Sequence, residues 1–181
     1  VSVLRAVSWA YRKARAVRFH THFCTRQETI GHHSHGVAVI VALVYPDASA
    51  DLLREALFHD LGEGEWGDIP GHTKRELGIR EQVSQLEDCE MIRQGIPRPV
   101  ISSEDHRRLK FADNAHGALY CVEELSRGNW EHLSPLRNYM DWMQKEPMGL
   151  TSEQELFEAL RKEWVTYDRG DVRRHGEIFG V

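Results

Sequence analysis

The sequence predicts an all-α protein of one domain, and three observations carry that expectation. Apolar residues recur at helical spacing in successive segments, and sustained period-two alternation is absent. Neither an internal repeat nor a Pro/Gly/Ser-rich linker divides residues 1–181. Val3, Leu4, Val7, Tyr11 and Ala14 give a first helix that stops before the polar loop 21–28. The next run starts near Ile30, passes the small residues Ser34, Gly36 and Ala38, and ends before Pro46. Its β-branched content over 37–44 suits a buried strand, but its length suits a buried helix, which is the expectation here. Ser49 can cap a helix carrying Leu52, Leu53, Ala56 and Leu57 on one face, with His59 and Asp60 at its C-terminal end. Gly62, Gly64, Gly67, Pro70 and Gly71 then read as a loop. Val83, Leu86, Glu87, Glu90 and Met91 suggest an amphipathic helix closed by Gly95 and Pro97. Ser102 or Ser103 begins a helix that runs to about Arg127, before Gly128-Asn129. Leu156, Phe157, Leu160, Trp164 and Tyr167 mark a last long helix capped by Thr151 or Ser152, and the whole C-terminal part, 131–181, has a helical pattern.

Composition narrows the partners. Hydrophobic residues make up 41% of the chain and charged residues 28%, enough for a core and unlike a disordered segment. Lys and Arg total 23 against 28 Asp and Glu, a net charge of −5, so a stable nucleic-acid complex or attraction to an anionic membrane is not expected. A nucleotide partner should be small and locally held. The longest apolar run, 37–45, is short for a membrane span, and the N-terminal residues lack a signal-peptide pattern. Cys24, Cys89 and Cys121 are odd in number and lack CxxC spacing, which points to free thiols and a cytoplasmic protein, in a host cytoplasm if the source is a phage.

Asp113 is the most informative single position. On its helix Leu109, Ala112, His116, Leu119 and Tyr120 form the apolar stripe, and Asp113 falls inside it. A carboxylate there has to be paired, hydrogen-bonded or bound to a cation. His59-Asp60 sits where an apolar helix meets glycines, and His33 begins another buried helix within His32-His33-Ser34-His35. Neutral imidazole with carboxylates is a ligand set for divalent Mn, Co, Ni, Fe or Zn, and two of each leave positions open for water and a phosphate oxygen. His20, His22, His72, His106, His116, His132 and His175 have no partner at ligand spacing, and the ordinary reading of each is structural. HExxH is absent, which disfavours a zincin protease. No Walker A or GxGxxG element is present either, and Cys24 near His22 lacks a third group to make it a nucleophile.

The order His33, His59-Asp60, Asp113 resembles the H...HD...D signature of the HD-domain metal-dependent phosphohydrolases. The chain is most similar to the bacterial 5'-deoxynucleotidase branch and to related phage dATP-type triphosphohydrolases. Arg18 is followed by an aromatic; Arg26 and Glu28 precede His33-Ser34; His59-Asp60 leads through Glu63, Gly67-Asp68 and Pro70 to Lys74; and Leu109-Lys110 leads through Asp113 to Glu123-Glu124-Leu125. The resemblance covers about residues 3–130. It implies that His33, His59, Asp60 and Asp113 ligate one divalent metal (Co, Mn or Zn, with Ni, Fe or Mg as further candidates). It implies that Glu63 and Asp68 act around the attacking water and the leaving oxygen, and that Arg18, Lys74 and Lys110 supply positive charge to phosphate. Phe19 stands where the branch usually has Trp beside the sugar C2', and His32 where it often has Glu. The expected activity is hydrolysis at the α-phosphorus of a 2'-deoxynucleotide, as a monophosphatase or a triphosphohydrolase, in a homo-oligomer. The alternative from another class is a non-catalytic HD-type module that binds nucleotide or metal; Glu63, Asp68 and Arg18 beside the full ligand set speak against it.

Overall fold

The structure, a computed structural model, describes residues 1–168 and contains α-helices but no strand among them. The helices are α1 (Val3–Lys13), α2 (Ile30–Val44), α3 (Ala50–Phe58), α4 (Glu63–Trp66), α5 (Gly71–Glu76), α6 (Arg80–Arg93), α7 (Ser103–Ser126), α8 (Leu133–Lys145) and α9 (Thr151–Asp168), with a 3-10 turn at Trp130–His132 before α8. The expected all-α class is what the described residues adopt. Residues 169–181, which include His175 and the end of the predicted C-terminal helical stretch, lie outside the described residues.

The capping reading holds where a short polar side chain precedes an apolar helix. Ser49 Oγ accepts from the Leu52 amide (3.0 Å) and Ser102 Oγ from Asp105 (3.0 Å), which settles Ser102 over Ser103, and Thr29 Oγ1, a cap the pattern did not single out, accepts from the His32 amide (3.3 Å). At α9 the expectation is corrected. Thr151 is already helical, Ser152 Oγ donates to the Val44 carbonyl (2.8 Å), and the Glu153 carboxylate accepts the amides of Gly149 (2.8 Å) and Leu150 (3.1 Å).

One core joins α2, α3, α7, α8 and α9 through Val37, Val41, Leu52, Phe111, Ala115, Leu136, Met140 and Leu160. The strand alternative for 37–44 is excluded because α2 runs through the middle of this bundle, where β-branched side chains pack as well as any. A smaller cluster, Trp9, Leu61, Met91 and Ile96, ties α1 to the chain around α4 and to the end of α6. Both predicted helices form, and that arrangement decides which of their faces is buried. α1 buries Trp9 with Ala6, Ala10 and Ala14 packed about it, leaving Val3, Leu4, Val7 and Tyr11 exposed. α6 is anchored by Met91, while Leu86 is exposed. The stretch read as a loop from Gly62 to Gly71 is a loop over 67–70 but is corrected at Glu63–Trp66, the short helix α4, with α5 beginning at Gly71; Gly62 and Gly64 admit Glu87 and Lys13 so closely that a Cβ would meet each within 2.7 Å.

Between α1 and α2 the chain doubles back. Val17 and Thr29 form an isolated antiparallel bridge, and the Arg18 amide donates to the Glu28 carbonyl (2.9 Å), so this connection is pinned over the N-terminal end of α2. Phe19 takes φ +54°, a left-handed conformation rare for a bulky residue.

Candidate metal centre

Four side chains from three helices converge. α2 supplies His33, the C-terminal end of α3 supplies His59 and Asp60, and α7 supplies Asp113. His33 Nε2 lies 3.1 Å from Asp113 Oδ1 and 3.4 Å from Asp60 Oδ2, and His59 Nε2 lies 3.4 Å from Asp60 Oδ1. One donor atom from each of His33, His59 and Asp60 falls within 4.8 Å of the others.

The backbone orients one of the two imidazoles. His59 Nδ1 is 2.9 Å from the Ala56 carbonyl, an acceptor only, so its proton sits on Nδ1 and Nε2 is left bare. Both Nε2 atoms, on His33 and His59, are buried without a hydrogen-bond partner. Orphaned polar atoms at that depth are costly unless something else fills the space between them and the carboxylates. Burial, and after it the Arg18 guanidinium, hold His33 down at about 4, so its ring is neutral at physiological pH. For Asp113 burial works against ionisation, but Lys110 and His33 outweigh it and keep the carboxyl well below the usual range. Neutral imidazole nitrogens facing ionised carboxylates fit a divalent transition ion.

The surrounding charges are paired in a way the sequence did not disclose. Arg18, expected at a phosphate, is buried and bridges Asp60, through Nη1, and Glu28, whose Oε2 is 3.2 Å from Nε. Lys110 Nζ contacts Asp113 Oδ2 at 2.5 Å. Lys74 Nζ donates to Glu63 Oε1 (2.8 Å) and Glu87 Oε1 (3.3 Å), joining α5 to α4 and α6. Glu63 opens α4 directly after the HD pair, and its Oε2 is buried without a hydrogen bond. Burial pushes its carboxyl well above the usual range, and the charges of Asp60 and Asp68 add to that. Asp68 is half-buried in the extended segment after α4, close enough to act electrostatically on Glu63 and Arg18. The Phe19 ring stacks on Tyr120 at 4.9 Å and tilts against His132 at 5.3 Å. Arg18 and Phe19 thus diverge, one to the carboxylates and the other to an aromatic group farther along α7.

Of the remaining histidines, His116 is the one whose structural position exceeds the sequence reading. Its Nδ1 lies 3.0 Å from His33 Nδ1, and 3.6 Å from Glu28 Oε1. A signal for it was present: His116 follows Asp113 by one helical turn on the same apolar stripe. His20, His32, His35, His72 and His106 are exposed, and His132 is buried with Nε2 3.1 Å from the Phe23 carbonyl. Cys24 is not an activated nucleophile, because burial pushes its thiol up; all the cysteines are free thiols.

No helix among the described residues is long and apolar enough to cross a membrane. A family model described as HD domain matches residues 14–105, a span that holds His33, His59 and Asp60 and stops before Asp113. No curated protein matches the chain. Among solved structures, the cyanophage S-2L HD phosphohydrolase (DatZ), bound to dA and one catalytic Zn2+ ion, is similar at a TM-score of 0.56 and 18% identity, over 88% of this chain and 96% of that one. The fold, the converging His and Asp side chains and a family model spanning half of the sequence together show that the chain belongs to the HD-domain family of metal-dependent phosphohydrolases.

Proposed function

We propose that this HD-domain protein hydrolyses 2'-deoxynucleotides at the α-phosphorus, with His33, His59, Asp60 and Asp113 holding one divalent transition ion. The observation that carries the reading is the pair of buried, unpartnered Nε2 atoms of His33 and His59 facing two ionised carboxylates, with the protonatable Glu63 next in the chain. The dA bound by the phage neighbour supports the choice of a deoxynucleotide. Glu63 and Asp68, carboxylates that a mere binding module does not need, favour an enzyme.

A divalent ion in this site acidifies water and offsets phosphate charge. The protein's own groups do the rest. Water attacks the α-phosphorus, the bond to O5' breaks, and the departing oxygen takes up a proton. Glu63, held by Lys74 and with Oε2 free, is placed to hold or pass that proton, and Asp68 is the second carboxylate available to orient water. Burial works against the charge on Asp60, but His59 and then Arg18 outweigh it and keep it ionised; Arg18 also adds fixed positive charge, while Lys110, exposed beside Asp113, can turn to a phosphate oxygen. Lys74 meets phosphate only by loosening its hold on Glu63 and Glu87. The Phe19 ring, braced by Tyr120, is assigned to the sugar, where it crowds a 2'-hydroxyl. Monophosphates and triphosphates undergo the same step at this phosphorus and differ in the group released with the deoxynucleoside.

The test is metal-depleted protein reloaded separately with Co, Mn and Zn and assayed on mono- and triphosphates of the four deoxynucleosides, with products separated. Metal-dependent release of free deoxynucleoside is expected, accompanied by phosphate or by triphosphate. A triphosphate cut to monophosphate and pyrophosphate moves the attack to another bond, and no turnover of any substrate with any metal removes the deoxynucleotide reading.

A further inference from the structure

We propose that His116 is a positioning residue: it accepts a hydrogen bond from His33 Nδ1 and so locks His33 in the tautomer that leaves Nε2 free for a metal ion. The inference rests on the metal centre proposed above and extends it to a residue outside the ligand set. A neutral imidazole carries one N–H, so coordination through Nε2 puts the proton of His33 on Nδ1. His33 is wholly buried, and a buried N–H needs an acceptor. His116 Nδ1, 3.0 Å away with the rings nearly perpendicular at 73°, is placed to be that acceptor, which requires His116 to carry its own proton on Nε2.

Three further observations agree. Gly36 lies on α2 one turn after His33, and a Cβ there would fall 2.0 Å from Cδ2 and Nε2 of His116, so the absence of a side chain on α2 makes room for this imidazole on α7. His32, which stands where the branch often has Glu, is exposed and leaves the task to α7. Glu28 Oε1 sits 3.6 Å from His116 Nδ1, outside hydrogen-bond reach, with its other oxygen facing Arg18, so it does not compete for the bond between the two rings. The contrast with His59 is instructive. That ring is oriented by a backbone carbonyl, which can only accept, whereas His33 is oriented by a side chain that could itself donate. If His116 donated instead, His33 would carry its proton on Nε2, pointing at Asp113 and closed to a metal. The arrangement therefore makes His116 the group that selects a metal-binding over a metal-excluding form of His33.

Two measurements test this. In Zn2+-loaded wild-type protein with 15N-labelled histidines, the expected result is a protonated Nδ1 on His33, a protonated Nε2 on His116 and a scalar coupling across the bond between the two Nδ1 atoms. In metal competition against a chelator, H116N, whose amide oxygen can stand where Nδ1 stood, should stay near wild type, while H116F and H116Q should bind Zn2+ about 10–100-fold more weakly. His33 protonated on Nε2 in the loaded protein overturns the proposal, as does wild-type affinity in H116F. Wild-type protein that retains no divalent ion sinks the metal centre itself, an outcome distinct from both. Should the variants misfold, the labelling measurement on wild type decides alone.

Discussion

Asp113 shows how one misplaced polar residue on an apolar stripe carries chemical information. It lies among core residues of α7, yet it is ionised, touching His33 on one oxygen and Lys110 on the other. Asp113→Asn keeps the shape and removes the charge. The expected result is a helical protein that loses bound metal by more than the roughly 10–100-fold cost of removing an outer partner, and loses turnover with it. Metal analysis beside circular dichroism checks this, and normal metal content would make Asp113 structural. Glu63→Gln separates proton transfer from ligation. It should lower kcat by about 100-fold or more with metal content unchanged. Joint loss of metal and rate would instead place Glu63 among the ligands. At Phe19 the wild type should favour a deoxyribonucleotide over its ribonucleotide by on the order of 100-fold in kcat/KM, and Phe19→Ala should narrow that gap. Matched substrates with the same base and phosphate number measure it, and equal kcat/KM in the wild type takes Phe19 out of the site.

The α2–α7 crossing is the element on which the site depends. α2 brings His33 and α7 brings Asp113 and His116, and the helices approach closely enough that Gly36 admits an imidazole. Gly36→Ala should therefore destabilise the fold by roughly 1–3 kcal/mol through overpacking and weaken Zn2+ binding by moving His116. Combined with His116→Ala, which removes the ring that the new methyl strikes, the destabilisation should be much less than the sum of the two single changes. Additive losses in a thermal or urea unfolding cycle would show that the two positions do not meet. On the opposite side, Lys74 couples α5 to Glu63 and Glu87, so the short helices α4 and α5 fix the Glu63 carboxyl.

In the molecule as a whole the four proposed ligands come from α2, the end of α3 and α7, which share the main core, while Glu63 and Lys74 stand on α4 and α5, so a bound ion should stabilise the main bundle. Ligand binding to the native state alone stabilises by about 2.7 kcal/mol at an ion concentration 100 times Kd. For a chain of this size that corresponds to roughly 5–10 °C in Tm between metal-loaded and chelated protein, readable by scanning calorimetry. An unchanged Tm at saturating metal would mean that the ion does not bind the native state.

The sequence by itself determined the helical class, most helix ends and the singling out of Asp113, because periodicity, short polar caps and a carboxylate on an apolar stripe are local properties, while the resemblance supplied His33, His59 and Asp60 beside it. Ser49 and Ser102 could be read as caps since their partners lie three residues away. Tertiary structure alone decided what each charged group faces. Arg18 is 42 residues from Asp60, and His33 is 83 from His116, separations over which no local pattern specifies a pairing. The same holds for α1: an apolar stripe at helical spacing says that a helix forms, but which face is buried depends on where Leu61, Met91 and Ile96 arrive from later in the chain, and they come to Trp9. Residue types at fixed spacing disclose which chemistry is available. Only the packing of α2 against α7 selects the tautomer, the ion pairs and the depth that make that chemistry usable, since those follow from distances between segments far apart in the chain.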